Sequence, residues 1–337
     1  MKRIYNNINL QDRNSFGVVE SATELVEFET AADLKEYFME HSPERWYVLG
    51  GGNNTLFTQR YDGVLLAPTC SQRTILSDDG EYVDLRVEAA HDWDELVAWS
   101  VDEGLWGIEN LSMIPSSVGA APVQNIGAYG AEAKDAITVV ECFDTNTLSV
   151  VRLTNEQCRF GYRESIFKQE FKGVAIILAV EFRLHRTPAP NLGYGDVIKE
   201  VESRGGATLG NIRAAICAIR SSKLPDPKVL GNAGSFFKNP VVEREVAERL
   251  LEKYPDMPHY AVAGATDSVK LAAGWLIDRA GLKGYRMGNV GVHDRQALVL
   301  VNYGGATGGD VIALANYVCG RVKECFDVTI SPEVNIL

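Results

Sequence analysis

The stretch Trp46-Tyr47-Val48-Leu49-Gly50-Gly51-Gly52-Asn53-Asn54-Thr55-Leu56-Phe57 decides which nucleotide-binding architectures this chain can adopt. Four apolar residues run into three glycines, which reads as a short buried strand emptying into a tight turn. Successive backbone N–H groups in such a turn form a concave nest for phosphate oxygens. A plain tight turn has the same composition, so both readings stand at this point. One alternative is disfavoured and another excluded. A Rossmann site needs Gly-x-Gly-x-x-Gly opening a helix, and Asn53-Asn54-Thr55-Leu56-Phe57 follows instead. A P-loop needs Gly-Lys-Ser/Thr, which is absent.

Outward from that turn, residues 63–67 read as a second strand. Val83, Leu85 and Val87 alternate with polar residues as in a half-exposed strand. Asp92 with Glu95 three positions on predicts a capping box, and Trp93, Leu96, Val97 and Val101 mark one helix face that stops near Gly104. Residues 137–143 and 148–153 flank Asp144-Thr145-Asn146-Thr147, a hairpin turn. Residues 173–184 form a long apolar-rich strand, and the Pro, Asn and Gly of 187–194 mark a boundary. Beyond about residue 210 helix and strand alternate. Residues 212–221 read as helix. Asn239-Pro240 reads as an N-cap followed by proline at the first helical position, with Val242, Val246 and Leu250 at helical spacing. Residues 268–280 read as a second helix closed by Gly281. Residues 297–303 read as a strand, and Val311, Leu314, Val318 and Val322 as a last amphipathic helix before a short extended tail at 328–337. β-rich halves followed by a compact α+β unit predict a three-part protein.

The 337 residues are 46% apolar, and their formal net charge is −12. Nonspecific nucleic-acid binding needs a basic face and is disfavoured, while a local basic cluster can still take a small anion. Cys70, Cys142, Cys158, Cys217, Cys319 and Cys325 have irregular spacing with no Cys-x-x-Cys, which argues for free thiols rather than a zinc site or disulfides. The five histidines lack metal-ligand spacing, so no metal is expected. No apolar run approaches the roughly 20 residues needed to cross a bilayer. Met-Lys-Arg followed by polar residues is no signal peptide, so a cytoplasmic protein is expected.

Five further segments carry chemistry. Gly231-Asn232-Ala233-Gly234-Ser235-Phe236-Phe237-Lys238-Asn239-Pro240 sets a hydroxyl beside glycines that allow close approach of a ligand, which suits proton delivery by Ser235. A glycine-flanked strand whose serine only satisfies the backbone is the plainer reading. Residues 114–130, Ile-Pro-Ser-Ser-Val-Gly-Ala-Ala-Pro-Val-Gln-Asn-Ile-Gly-Ala-Tyr-Gly, hold small side chains along which a flat ligand can lie, with Gln124 and Asn125 as donors or acceptors for a heterocycle. Arg159-Phe160-Gly161-Tyr162-Arg163-Glu164-Ser165-Ile166-Phe167-Lys168 offers an arginine beside aromatics, suited to a carboxylate, or a surface ion pair. Arg220-Ser221-Ser222-Lys223-Leu224-Pro225-Asp226-Pro227-Lys228 is a basic patch suited to a diphosphate, or a solvated linker; Tyr194 could cap the same ligand. In Ser331-Pro332-Glu333-Val334 the proline holds Glu333 rigidly at a strand start.

In combination and in order, these segments resemble the UDP-N-acetylenolpyruvoylglucosamine reductase family. The resemblance runs from Asn14-Ser15-Phe16-Gly17 to Pro332-Glu333-Val334, and the Gly-Tyr-Arg segment and Tyr194 point to its type I branch, which carries a tyrosine-bearing loop over the substrate. It implies an α+β fold: vanillyl-alcohol-oxidase-like (PCMH-like) FAD-binding domains at 1–68 and 69–208, a separate α+β substrate-binding domain at 209–326, and a C-terminal segment at 327–337 returning to the active site. It implies noncovalent FAD held by Gly50, Gly51, Gly52, Asn53, Asn54, Ser116, Ser117, Gln124, Asn125, Ile126, Gly127 and Tyr129. It assigns Tyr162, Tyr194, Arg220, Lys223, Asn239 and Gln296 to the substrate, and makes Arg163, Ser235 and Glu333 the catalytic set. NADPH would reduce FAD, and UDP-N-acetylglucosamine enolpyruvate would then be reduced in the cytoplasm by a monomer, a step of peptidoglycan precursor synthesis.

Two departures bear on the flavin. Relatives often have serines where this chain has Ala120 and Ala121, and usually have Arg where it has Asn335. Two rivals follow. A flavin oxidase of the same superfamily would need a covalent flavin attachment, with His91 as the main candidate. A non-catalytic flavin- or nucleotide-binding protein has only those departures for support, and the retention of Ser235, Arg163 and Glu333 argues against it.

Overall fold

The computed structural model describes residues 2–262 and 265–337. The chain divides into two compact units. The first comprises Met1–Ile8, Ala22–Gly51 and Asp62–Ser222; the second comprises Asn9–Ser21, Gly52–Tyr61 and Lys223–Leu337.

The first unit contains a four-stranded sheet, a five-stranded sheet and the short pairing of 127–128 with 131–132. The strand Trp46–Val48 pairs in parallel with Tyr61–Pro68, at the edge of a four-stranded sheet completed by Arg3–Asn9 and Ser21–Phe28. The helix Ala31–His41 covers it, started by a full capping box between Thr30 and Asp33. Such a cap is worth about 1 kcal/mol. The second sheet has five antiparallel strands, with Ala175–His185 at its centre between Ile137–Asp144 and Tyr82–Glu88. Val83, Leu85 and Val87 are buried, as their alternation predicts. The turn between Ile137–Asp144 and Ser149–Thr154 is closed by the Asp144 carboxylate, which accepts from the amides of Asn146 and Thr147.

The helix Trp93–Asp102 starts at Asp92 as expected, but only half of the capping box forms: the Asp92 side chain accepts from the Glu95 amide, and the return bond from Asp92 N to Glu95 is not made. It buries Trp93, Leu96 and Val97, each worth roughly 1.5–3 kcal/mol of apolar burial. Gly104, at φ +72°, lets the chain leave. Residues 187–194 hold no strand or helix, but the first unit continues through them to Ser222. Its last helix, Leu209–Lys223, packs Leu209, Ile212, Ala215, Ile216 and Ile219 against Trp106, Val197 and Val201.

In the second unit two sequence expectations fail. Asn239-Pro240 does not open a helix. It leads into the strand Val241–Glu243, at the edge of a three-stranded sheet, and the helix Arg244–Lys253 follows with Glu243 at its N-cap. Proline's fixed φ and missing N–H suit the entry to an edge strand as well as the first turn of a helix. Residues 268–280 are not one helix either. Ala265–Leu271 is the central strand of that sheet, and only Ala273–Arg279 is helical. The last helix, Gly308–Phe326, buries Val311, Leu314, Val318 and Val322 and is started by a Thr307–Asp310 capping box.

Polar anchors fix the turns of this unit. Asn302 Nδ2 donates to the Phe16 carbonyl while its Oδ1 accepts from the amides of Gly304 and Ala306. Gly52 packs so tightly on the 13–15 segment that a Cβ there would meet the Arg13 carbonyl oxygen at 2.1 Å, and its φ is +65°. The tail strand Asn335–Ile336 pairs in parallel with Thr55–Leu56.

All six cysteines are free. No helix among the described residues is long and apolar enough to cross a membrane.

Candidate active site

In the first unit the strand Trp46–Val48 delivers Gly50 and Gly51 to the surface. Among the described residues neither amide has an acceptor, whereas the Leu49 amide before them closes on Leu66. The Ser116–Ser117 turn is set by its backbone: Ser116 O accepts from Trp93, Val118 N donates to His91 O, and Gly119 N to Ala89 O. Ser117 Oγ lies against Gly50, where a Cβ would stand 2.9 Å from it. Two outward amides, a hydroxyl and a gap that only glycine leaves open fit the pyrophosphate and ribose of a dinucleotide such as FAD. Ala121 is wholly buried in the apolar core, so a hydroxyl there would have no outward path. Asn53 and Asn54, with Gly52, belong to the second unit.

Asn125 behaves differently from the expectation. It is fully buried at φ +45°. Its Nδ2 donates to Glu132 Oε2 at 3.1 Å and to Gly161 O at 3.0 Å, and its Oδ1 accepts from Lys134 N. Both amide hydrogens are committed to the protein, so this side chain builds the loop. Ile126 is likewise buried, and Gly127 pairs with Glu132 in a short hairpin. Gln124 is half-buried in the same loop.

Arg163 is brought to this loop. Its Nη2 donates to Gly127 O at 2.6 Å and its Nη1 reaches Asn125 O at 3.4 Å, while the guanidinium carbon lies 5.4 Å from the Tyr162 ring centroid. Arg163 takes φ +54°, an uncommon conformation for a non-glycine residue. Two carbonyl acceptors therefore fix a cation at the mouth of the 125–127 turn.

Tyr129, Tyr194 and Arg220 also meet within the first unit. The tyrosine rings pack edge to face at 6.1 Å. Arg220 interacts electrostatically with the Tyr129 phenol and donates from Nε to Met113 O. Burial pulls the Arg220 guanidinium below its usual pKa, opposed by Tyr129. Burial raises the Tyr129 phenol, with Arg220 opposing. Two turns of helix earlier, Arg213 grips Asp94 with two hydrogen bonds of 2.6 and 2.9 Å.

In the second unit, residues 235–237 are held between two neighbours. Phe236 N donates to Leu298 O at 2.7 Å, and Glu333 N donates to Phe236 O at 2.7 Å. Ser235 bridges Val299 and Phe237 bridges Pro332. Phe236 and Phe237 are buried, whereas Ser235 is exposed. The structure thus brings Ser235 and Glu333 onto adjacent segments. The turn before them is stapled by buried Asn232, whose Nδ2 donates to Pro225 O and Leu230 O and whose Oδ1 accepts from Gly234 N.

Asn54 Nδ2 reaches Glu333 O, and its carbonyl accepts from both nitrogens of Asn335. Asn335 therefore ties the tail to the strand Thr55–Leu56. Lys223 is exposed, and Gln296 Oε1 accepts from Leu298 N. Asn239 Oδ1 accepts from the first amide of the helix Ala273–Arg279 at 2.9 Å, so it caps a helix other than the one its sequence suggests.

His91, the candidate for covalent attachment, is buried with both ring nitrogens engaged. Nδ1 faces Asp92 O at 2.8 Å and Nε2 faces Arg73 at 3.3 Å. That is a structural histidine. Sequence reasoning did not single out Asp94, Asn110, Glu132, Asn191 or Arg213, all of which hold these loops. Each is an isolated polar residue without a local pattern, and only tertiary pairing gives it a role.

Residues 25–153 match the family described as FAD binding domain, and residues 226–337 match UDP-N-acetylenolpyruvoylglucosamine reductase, C-terminal domain. Similar proteins include the UDP-N-acetylenolpyruvoylglucosamine reductases of Chromobacterium violaceum, 46% identical over 98% of both chains, and of Flavobacterium johnsoniae, 41% identical over 99% of both. That of Neisseria gonorrhoeae is 47% identical over 100% of this chain and 98% of its own. The crystal structure of UDP-N-acetylenolpyruvylglucosamine reductase from Thermus caldophilus shares the fold, with a TM-score of 0.70 over 100% of this chain and 99% of that one, at 24% identity. Two domain matches in chain order and identity above 40% along the full length lead to one conclusion: this chain belongs to the UDP-N-acetylenolpyruvoylglucosamine reductase family of FAD-dependent oxidoreductases.

Proposed function

We propose that the protein uses NADPH, through noncovalently bound FAD, to reduce the enolpyruvyl ether of UDP-N-acetylglucosamine to UDP-N-acetylmuramate, in the cytoplasm and as a monomer, for peptidoglycan precursor synthesis. The flavin would be held by 1–68 and 69–208, and the nucleotide sugar by 209–326 together with the 327–337 tail. When bound, FAD supplies a two-electron relay, taking hydride from NADPH and giving it to the terminal vinyl carbon of the substrate.

The chain's own residues would handle the charge that follows. Negative charge builds on the adjacent carbon and spreads into the substrate carboxylate. Arg163, its guanidinium oriented by two backbone carbonyls, would hold that carboxylate. Glu333 would stabilise the enediolate as a proton-bearing acid. Ser235 would hand its hydroxyl proton to the carbanion-like carbon, a basic enough acceptor for an alcohol to serve. Tyr162, Tyr194, Arg220, Lys223, Asn239 and Gln296 would bind the rest of the nucleotide sugar. The observation that carries this proposal is the double backbone pairing of Phe236, which leaves the neighbouring Ser235 exposed beside the Glu333 segment.

An anaerobic titration tests it. NADPH should bleach the oxidised-flavin band, and stoichiometric enolpyruvyl nucleotide should restore it. A reduced flavin that oxygen reoxidises and the nucleotide does not would reject this substrate.

A further inference from the structure

We infer that Asn110 is a positioning residue: its carboxamide clamps the Tyr129 turn to the base of the Tyr194 loop and so anchors that base. The inference rests on the proposed substrate and deepens it.

Asn110 lies in the short 3-10 turn Glu109–Leu111 and is 2% exposed. Its Nδ2 donates to two carbonyls from distant parts of the first unit, Tyr129 O and Asn191 O, both at 2.8 Å. Asn191 answers from the loop, donating from its own Nδ2 to Gly130 O at 3.0 Å. Three hydrogen bonds thus join the 129–130 turn to the loop three residues before Tyr194. The clamp dictates which way the amide faces. Exchanging its nitrogen and oxygen would set an oxygen against two carbonyl oxygens, so only one orientation closes it. That orientation leaves Asn110 Oδ1 as the one buried side-chain polar atom without a hydrogen-bond partner among the described residues. A buried acceptor is costly to leave unpaired. The fold accepts this at the point where it closes the loop.

The clamp also reaches the ligand-facing groups. Tyr129 holds φ +49°, a conformation that a bulky residue rarely adopts, and its carbonyl is the one Asn110 grips. With its backbone fixed, the Tyr129 ring packs on Tyr194 and its phenol lies within the electrostatic reach of Arg220. Asn110 bonds backbone carbonyls rather than either ring, and acts through both. A loop anchored at its base has less conformational freedom to lose on binding, so removing the clamp lowers the fraction of binding-competent protein and weakens apparent affinity by that fraction.

The experiment uses the holoenzyme with flavin reduced chemically by dithionite, reoxidised by enolpyruvyl nucleotide at a series of concentrations. Asn110→Leu, close to isosteric but without donors, should raise the half-saturating nucleotide concentration about 10-fold while the limiting rate stays within about 2-fold. Asn191→Ala, at an exposed position that spares the core, should raise it by a smaller factor in the same direction. Hydrogen exchange of amides 187–196 should quicken in both variants. If both bind and exchange as the wild type does, Asn110 has no positioning role. If the limiting rate falls and half-saturation does not move, Asn110 acts otherwise than through the loop. If wild-type reduced flavin ignores the nucleotide, the substrate assignment fails; the clamp then stands or falls on the exchange rates, and its role in substrate binding falls with the assignment.

Discussion

Residues 116–134 of the first unit and 231–240 of the second are both rich in glycine and small side chains, and both are stapled by a buried asparagine. Asn125 and Asn232 each donate twice to backbone or carboxylate oxygens and accept one backbone N–H. What the two staples leave outward differs. Around Asn125 the groups on offer are a backbone-locked arginine, the Ser117 hydroxyl and bare amides at Gly50–Gly51. Beyond Asn232 the offering is one side chain, Ser235, on a segment held by backbone pairing and the buried rings of Phe236 and Phe237. Residue type therefore does not decide which polar group meets a ligand. The decision belongs to whichever local carbonyls and amides claim the side chain first.

The largest effect should come from Ser235→Ala. The segment keeps every backbone bond, so thermal stability should change by no more than about 0.5 kcal/mol. Flavin reduction by NADPH should persist, while reoxidation by the enolpyruvyl nucleotide slows by ~10²-fold or more. Stopped-flow absorbance separates the two half-reactions. Normal turnover would remove the serine from the mechanism and make the two regions alike.

Asn125→Ala should do the reverse. It strands Lys134 N, takes one donor each from Glu132 Oε2 and Gly161 O, which keep Lys134 Nζ and Glu164 N, and puts alanine at φ +45°, so unfolding should come easier by roughly 1–3 kcal/mol. Below the lowered melting point, FAD content at saturating flavin should match the wild type. A variant of unchanged stability that loses FAD would show that the amide touches the flavin, and the contrast with Ser235 would vanish.

Much of this architecture is legible in the chain. The strand leading to Gly50–Gly52, the alternation of Val83, Leu85 and Val87 and the Asp92 cap all rest on contacts within a few residues. The failures lie where one local signal serves two structures. Asn239-Pro240 suits a helix start and the entry to an edge strand equally. In 268–271 the alternation of Val269 and Leu271 marks a strand, but it runs straight into the helical spacing of Leu276 and Ile277 and was absorbed by it. The same limit applies at the site. The Asn125 amide looks available to a ligand until the Gly161 carbonyl, 36 residues on, is known to take one of its hydrogens. Membership of 9–21 and 52–61 in the second unit is equally silent, because the pairing of Thr55–Leu56 with Asn335–Ile336 spans almost the whole chain.

The smallest effect separates the two regions by acid. The 231–240 segment is held by amides and backbone, none of which titrates. The helix carrying Arg220 is tied instead by an ion pair, Arg213 with Asp94. Burial pushes the Asp94 carboxyl up, but the Arg213 hydrogen bonds and the Met113 amide outweigh it, and the net pKa lies below the ordinary value. A carboxyl depressed in the folded state contributes stability that is fully present above its unfolded pKa, about 3.9, and is lost as pH falls through the folded value. Asp94→Asn should therefore cost about 1–2 kcal/mol at neutral pH and almost nothing at the acid end, flattening the acid limb of the stability curve. Urea melts of the two proteins from pH 7 downward measure this. Parallel curves with a constant offset would mean that the ion pair does not hold the helix, and that amide staples carry both regions alike.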